Sequence, residues 1–253
     1  MRVWVDTDVG DNPDDAVALL GAEAHPQVEL VGVSTVDGDH QRRAACARAL
    51  VSARVTRGDE LGLARAFSDA HPDAVLAIGP LTNLASLVAT GVAMPPLVGM
   101  GGLLGTVRHR GAGRRVEHNF ARDPQAAASV LRACAPVLVV PLDVTVSMCL
   151  DDAQLRRLLE VEPALAAEIE VWLAGLRRAN VPVEDRRVCL HDPLALLALM
   201  EPTLVRIEPR GLRVEADGQV VEVSSAAEQH VVCGVDARRA FDRIVGLLAQ
   251  GVG

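Results

Sequence analysis

Near its N-terminus the chain gathers five carboxylates within ten residues: Asp6, Asp8, Asp11, Asp14 and Asp15, in the segment VWVDTDVGDNPDDA. Asp14 and Asp15 suit the first turn of a helix, where the macrodipole favours negative charge, but that role does not account for all five. Like charges at this density repel one another, and a bound divalent cation is the simplest compensation. Only oxygen donors are on offer, which suits Ca2+ or Mg2+ and argues against Zn2+. The rest of the composition removes other chemistries. All 25 basic residues are arginine, so neither a Schiff-base lysine nor a P-loop lysine exists. Tyrosine is absent, aromatics make up 2% and the net charge is −8, which leaves neither a stacking platform nor a basic stripe for nucleic acid. The five cysteines, Cys46, Cys134, Cys149, Cys189 and Cys233, have no CxxC spacing and read as free thiols in a reducing compartment.

These residues need a scaffold, and the apolar pattern describes one. Short strand-like runs at 2–5, 28–34, 74–78, 97–100 and 136–140 alternate with helical stretches at 14–24, 41–51, 81–89 and 124–133. Pro13 is placed to open the first of these helices. The alternation predicts an α/β fold, a mostly parallel open sheet with helices on both faces, with ligands beyond the strand C-termini. From 151 to 178 the pattern is helical, a further helix begins near His191, and a last one covers 236–248. Residues 204–223, with Asp217-Gly218 as a turn, read as a small antiparallel addition near the C-terminus. With no repeat or linker, residues 1–253 are expected to form a single domain. Acidic residues arrive by position 6 and no apolar run reaches the roughly 18 residues of a membrane span, so a cytoplasmic protein with no membrane partner is expected.

Six motifs, in order, carry a resemblance that spans most of the chain. DTDVGDNPDDAVALL at 6–20 is similar to the DTDxGDDxDDALAL signature of the inosine–uridine-preferring nucleoside hydrolases, with Asn12 where Asp is usual. Ser34-Thr35-Val36-Asp37-Gly38-Asp39 resembles the TTVxGN or TTVxGD turn, and Gly79-Pro80-Leu81-Thr82-Asn83-Leu84-Ala85 the GPLTNxA motif. Met100-Gly101-Gly102 resembles the MGG turn, Glu117-His118-Asn119-Phe120 with Asp123-Pro124 the AEFNxxxDP segment, and Leu190-His191-Asp192-Pro193-Leu194 the LHDPLA segment. The resemblance implies a nucleoside-hydrolase-like fold with a Rossmann-like core.

It also implies roles. A Ca2+ would be held by Asp8, Asp15, the Ile78 carbonyl and Asp192, with Asp8 also the general base for the attacking water. Asp14, Asp39, Glu117, Asn119, His118 and Met100 would contact the substrate, and His191 would serve as acid or hydrogen-bond donor to the departing base. The implied reaction is hydrolysis of the N-glycosidic bond of a ribonucleoside or related small ribosyl compound, whose oxocarbenium-like transition state needs a poised water and nearby negative charge. A homo-oligomer, dimer or tetramer, is implied in the same way.

The chain departs from the family pattern in two places. Between Val55 and Val75 only a short segment, Arg57-Gly58-Asp59-Glu60-Leu61-Gly62-Leu63, stands where relatives carry a longer excursion over the site. Gly111-Ala112-Gly113-Arg114-Arg115 also lacks the Gly-Asn that precedes AEFN in many relatives. Both point to a more open site. Few aromatic residues are available to stack on a base: Trp172, Phe120 and His118. Two other functions compete. One is a ribosyl- or nucleoside-binding module that turns over poorly or not at all. The other is a phosphatase of the haloacid-dehalogenase type with Asp6 as nucleophile, which the missing lysine and the unexplained GPLTN and LHDP motifs disfavour.

Overall fold

Successive residues of the central strands enter two different apolar layers, and this alternation organises the molecule. Val3 and Val5 join one core while Trp4 joins the other. Leu76 and Ile78 divide from Val75 and Ala77 in the same way, as does Val140 from Val139. Strands buried on both faces must be apolar throughout, which is why these segments read as unbroken hydrophobic runs.

The computed structural model describes residues 1–59, 61–110 and 112–251. Glu60 and Gly111, each part of a segment compared with the family pattern above, lie outside the described residues. The strands are β1 Arg2–Thr7, β2 Glu29–Thr35, β3 Val55–Arg57, β4 Ala74–Ala77, β5 Leu97–Met100, β6 Val107–His109, β7 Ala112–Arg114, β8 Leu138–Val140, β9 Val205–Val214, β10 Val220–Glu222 and β11 Glu228–Val235. The helices are α1 Pro13–Ala24, α2 His40–Leu50, α3 Leu63–Ala70, α4 Thr82–Ala89, α5 His118–Arg122, α6 Pro124–Ala133, α7 Leu142–Thr145, α8 Asp152–Val161, α9 Ala166–Arg178, α10 His191–Met200 and α11 Ala237–Gly251.

Nine strands form one sheet in the order β10-β9-β11-β8-β5-β4-β1-β2-β3. From β11 to β3 all neighbours are parallel; β9 and β10 add antiparallel to the β11 edge. Helices α1, α2, α8, α10 and α11 supply one core, and α3, α4 and α6 the other. The chain winds from β1 out to β2 and β3, then returns to β4 and continues to β5 and β8. The winding therefore reverses between β1 and β4, and loops diverge there to open a crevice at the strand C-termini. A separate hairpin, β6–β7, stands outside the sheet.

The α/β architecture and the C-terminal antiparallel addition agree with the sequence expectation. Four strands were not anticipated: β3, β6 and β7 are three residues each, too short for a periodicity to register, and β11 carries a polar N-terminal half. The helical pattern over 151–178 is interrupted at Glu162, because Pro163 cannot continue α8 and starts a short 3-10 turn before α9. The expectation of five free thiols is corrected: Cys149 and Cys189 face each other across an isolated antiparallel bridge and are disulfide-bonded, while Cys46, Cys134 and Cys233 are free. Spacing of 40 residues gave no sign of this pairing, since a tertiary bridge creates it.

Candidate active site

The loop after β1 carries the acidic residues into the crevice, and its conformation is enforced from several sides. The Thr7 hydroxyl donates to Asp15 and accepts from the Val9 amide at 3.1 Å. Arg43 of α2, fully packed inside, donates to the Asp37 carbonyl at 2.7 Å and the Val9 carbonyl at 3.1 Å, and pairs with Asp11 at 2.9 Å. Arg43 is thus a buried arginine that clamps the acidic loop. After β4, a Cβ on Gly79 would lie 2.9 Å from the Asp8 amide nitrogen and 2.7 Å from Val36 Cγ1. Only glycine lets that loop close against Asp8.

Asp14 and Asp15 lie in the first turn of α1 and Asp192 in the first turn of α10, so two positive helix ends face one point. Carboxylate oxygens of these three buried residues lie within 4.8 Å of one another. Asp8 adds to the repulsion felt by all three. Its own oxygen groups with Asp37 and His118, and it sits 3.9 Å from Arg43. Burial pushes Asp14 up to about 7 and Asp8 up to about 6, with neighbouring carboxylates adding to the shift. Burial and the same repulsion hold Asp15 and Asp192 well above the carboxylate range. A cluster this costly to ionise is a site built for a cation.

Above it opens a cavity of about 390 Å³ whose walls include Asp8, Asp14, Ile78, Met100, Asn119 and Asp192. Glu117 caps α5 by accepting from Asn119 N and Phe120 N, and it also accepts from Gly102 N at 2.9 Å, tying the β5 loop to α5. Burial pushes its carboxyl up to about 7. The Asn119 amide donates to the Ile78 carbonyl at 3.2 Å and the Met100 carbonyl at 3.1 Å. His191 Nδ1 lies 2.8 Å from the Thr145 hydroxyl, while Nε2 is buried with no hydrogen-bond partner. Burial, with His109 and Arg110 beside it, holds this imidazole well below its ordinary value, so it is neutral near pH 7.

Of the residues the sequence singled out, Asp8, Asp14, Ile78, Met100, Glu117, His118, Asn119, His191 and Asp192 line this cavity, and Asp15 lies beneath it beside Asp14 and Asp192. Asp39 does not reach it. It is exposed at the N-cap of α2, where its side chain accepts from Arg42 N at 3.0 Å. Asp37, two residues earlier, is the one beside Asp8 and His118. Trp172 lines the cavity, whereas Phe120 is core, packed under Gly101 and Gly102. Asp6 is 0% exposed and bonded to Ser34 and Asn83. A phosphatase nucleophile cannot act from there. Sequence reasoning missed His109 and Arg110, which the β6–β7 hairpin brings over the cavity; three-residue strands gave no signal for that hairpin.

Comparison with known proteins fits this geometry. The profile described as inosine-uridine preferring nucleoside hydrolase matches residues 59–242, and the chain belongs to that family of N-glycosyl hydrolases. It is 26% identical over 268 aligned positions to the non-specific ribonucleoside hydrolase RihC of Escherichia coli O1:K1, covering 87% of this chain and 85% of that protein. A plant nucleoside hydrolase superposes with a TM-score of 0.83 over 98% of both chains at 20% identity. The purine-preferring ribonucleoside hydrolase from Gardnerella vaginalis gives 0.79 at 22% identity, covering 98% of this chain and 99% of that one. These two likenesses bear on the fold alone. Among the described residues no helix is long and apolar enough to cross a membrane.

Proposed function

We propose that the protein is a Ca2+-dependent hydrolase that cleaves the N-glycosidic bond of a ribonucleoside or related ribosyl compound, giving ribose and free base. The observation that carries this reading is the convergence of Asp14, Asp15 and Asp192 at the foot of a cavity, in a chain of this family. The donor set fits a hard cation: all oxygen, buried, mutually repelling, with Asp14 Oδ1 lacking any hydrogen-bond partner. Asp8, Asp15, Asp192 and the Ile78 carbonyl would hold the ion, and such irregular oxygen donors suit calcium better than octahedral magnesium. When bound, the cation supplies charge that acidifies a water and orients ribose hydroxyls.

The chain's own residues supply the rest. Asp8, at the strand end beside the ion site, accepts the proton of the attacking water. Asp14 Oδ1 accepts from a ribose hydroxyl. Glu117 keeps one acceptor site for the 5′-hydroxyl after three backbone N–H groups, and Asn119 offers its amide oxygen once its N–H groups are engaged. Neutral His191 is too weak an acid to transfer a proton outright. With Nδ1 accepting from Thr145, its Nε2–H donates a hydrogen bond to the departing base. His118, Met100 and Trp172 border the space for that base.

One sheet running from β1 to β11 supports residues 1–253 acting as a single domain. Assembly as a dimer or tetramer rests on the family resemblance and is checked by light scattering. The test of function is release of reducing sugar from a panel of ribonucleosides with Ca2+ and with EDTA. Calcium-dependent release is expected; binding of ribose without release would turn the reading to a binding module.

A further inference from the structure

The outer wall of the cavity carries a charge opposite to its floor. Strands β6 and β7 pair Val107 with Arg114, Arg108 with Gly113 and His109 with Ala112, which puts Arg110 at the hairpin tip. Its φ is +52°, in the left-handed region that arginine seldom adopts. Strain of this kind persists where surrounding contacts hold it and marks positions with a use. Arg108 anchors the hairpin by a 2.8 Å ion pair to Asp185, and Trp172 is fixed by its Nε1–H donating to the Arg187 carbonyl at 3.2 Å. The Arg110 guanidinium carbon lies 4.4 Å from the centre of the Trp172 ring.

Stacking occupies the face of the guanidinium and leaves its edge N–H donors free. Among the described residues Arg110 makes no hydrogen bond and no ion pair, although Asp14, Glu117 and Asp192 are near enough to influence it. It is half-buried in the cavity wall, and Arg114 on the same wall is also without an ion pair among the described residues. If Arg110 served only to balance the floor, it would touch a carboxylate. It does not.

We propose that the cavity takes a ribosyl compound bearing an anionic oxygen group, a carboxylate or a phosphate, which pairs with the free edge of Arg110 while Trp172 holds the guanidinium in place. The ribosyl part rests on the hydrolase reading above; the anion subsite rests on the hairpin. Two sources supply such a group: a phosphate on the sugar or a carboxylate on the base.

Two matched pairs separate them: inosine 5′-monophosphate against inosine, and orotidine against uridine. For each, kcat/KM with Ca2+ is measured in the wild type, Arg110→Gln and Arg110→Lys, with circular dichroism confirming the fold. In at least one pair the anion is favoured about tenfold or more, as a charge-assisted hydrogen bond supplies. Arg110→Gln collapses that ratio, and Arg110→Lys restores part of it. Which pair responds names the source. Ratios near or below one in both pairs, or a ratio that Arg110→Gln leaves unchanged, would overturn the proposal while leaving nucleoside hydrolysis intact. Calorimetric titration with ribose 5-phosphate against ribose, and orotate against uracil, reads the subsite without turnover. Arg110-dependent preference for the anion in a protein that hydrolyses nothing would remove the hydrolase reading and keep the subsite; no preference would remove the subsite.

Discussion

Asp8, Asp14, Asp15 and Asp192 stand on a strand end and two helix starts that the nine-stranded sheet and its packed helices hold from below. Arg110 and His109 stand on a hairpin of three-residue strands outside that sheet, steadied by the ion pairs of Arg108 with Asp185 and Glu184, the edge of His109 on His191 and the face of Trp172. The floor is acidic and anchored through Arg43, Thr7 and Gly79; the rim is basic, and in Arg110 it has an unpaired cation among the described residues. A floor so constrained suits chemistry that tolerates little displacement. A rim attached by few contacts can change without unfolding the core, which makes it the natural place to set substrate preference. Changes in the floor should therefore act on turnover, and changes in the rim on selection.

The sharpest break of that contrast is Asp8→Asn. Removing the general base should cost about 10²–10⁴-fold in kcat while far-ultraviolet circular dichroism stays unchanged. Activity close to wild type would remove Asp8 from the mechanism. His191→Ala should lower kcat on inosine by roughly tenfold or more, and on p-nitrophenyl riboside much less, because nitrophenolate departs without help. Equal losses on both would mean that His191 positions the site instead of assisting the base.

Stability against pH probes the floor without a substrate. Asp14, Asp6 and Glu117 are raised to about 7 and Asp8 to about 6 from ordinary values of 3.8 and 4.5, so at these four groups the folded protein binds more protons than the unfolded chain. Their contribution is full below the unfolded values and is lost as pH rises through about 6 to 7. Asp11 and Asp37, lowered below 3.8, titrate outside that window. His25, His109, His118 and His191, lowered from 6.5 by burial, act in the opposite sense, but the raised carboxylates, Asp15 and Asp192 among them, outnumber them. In EDTA the melting temperature should be higher at about pH 5 than at about pH 8, and Ca2+ should raise it more at the higher pH. A calcium shift independent of pH would dissociate the ion from these carboxylates.

Trp172→Ala tests the rim. Losing a stacking face worth about 0.5–2 kcal/mol should raise KM several-fold with a smaller change in kcat. The smallest effect belongs to Asp39→Ala. As an exposed helix cap it should cost about 1 kcal/mol in stability and leave kcat/KM within about twofold; a large rise in KM would return Asp39 to the substrate.

Much of the floor was legible because its residues are close in sequence and follow apolar runs. A strand that must be apolar on both faces announces itself, and the residues after it fall at the sheet's C-terminal edge whatever the loops do. Asp8, Asp14 and Asp15 follow β1 in this way, whereas Ile78 after β4 and Asp192 at the start of α10 were implied by the family motifs. Asp37 and Asp39 show where that reasoning stops. Both follow β2, but the turn sends Asp37, with φ 62°, toward Asp8 and leaves Asp39 to cap α2. A motif match does not decide a direction that the turn decides.

Local sequence thus specified what recurs with short range: strand and helix periodicity, the acidic segment, and the absence of lysine and tyrosine chemistry. Long-range packing specified the rest. Arg43 is buried because α2 crosses the acidic loop, Cys149 meets Cys189 because two distant segments bridge, and Arg110 reaches Trp172 because the hairpin folds back over α9. Each joins segments far apart in sequence, and the free energy that pairs them exists only once the sheet has brought the segments together.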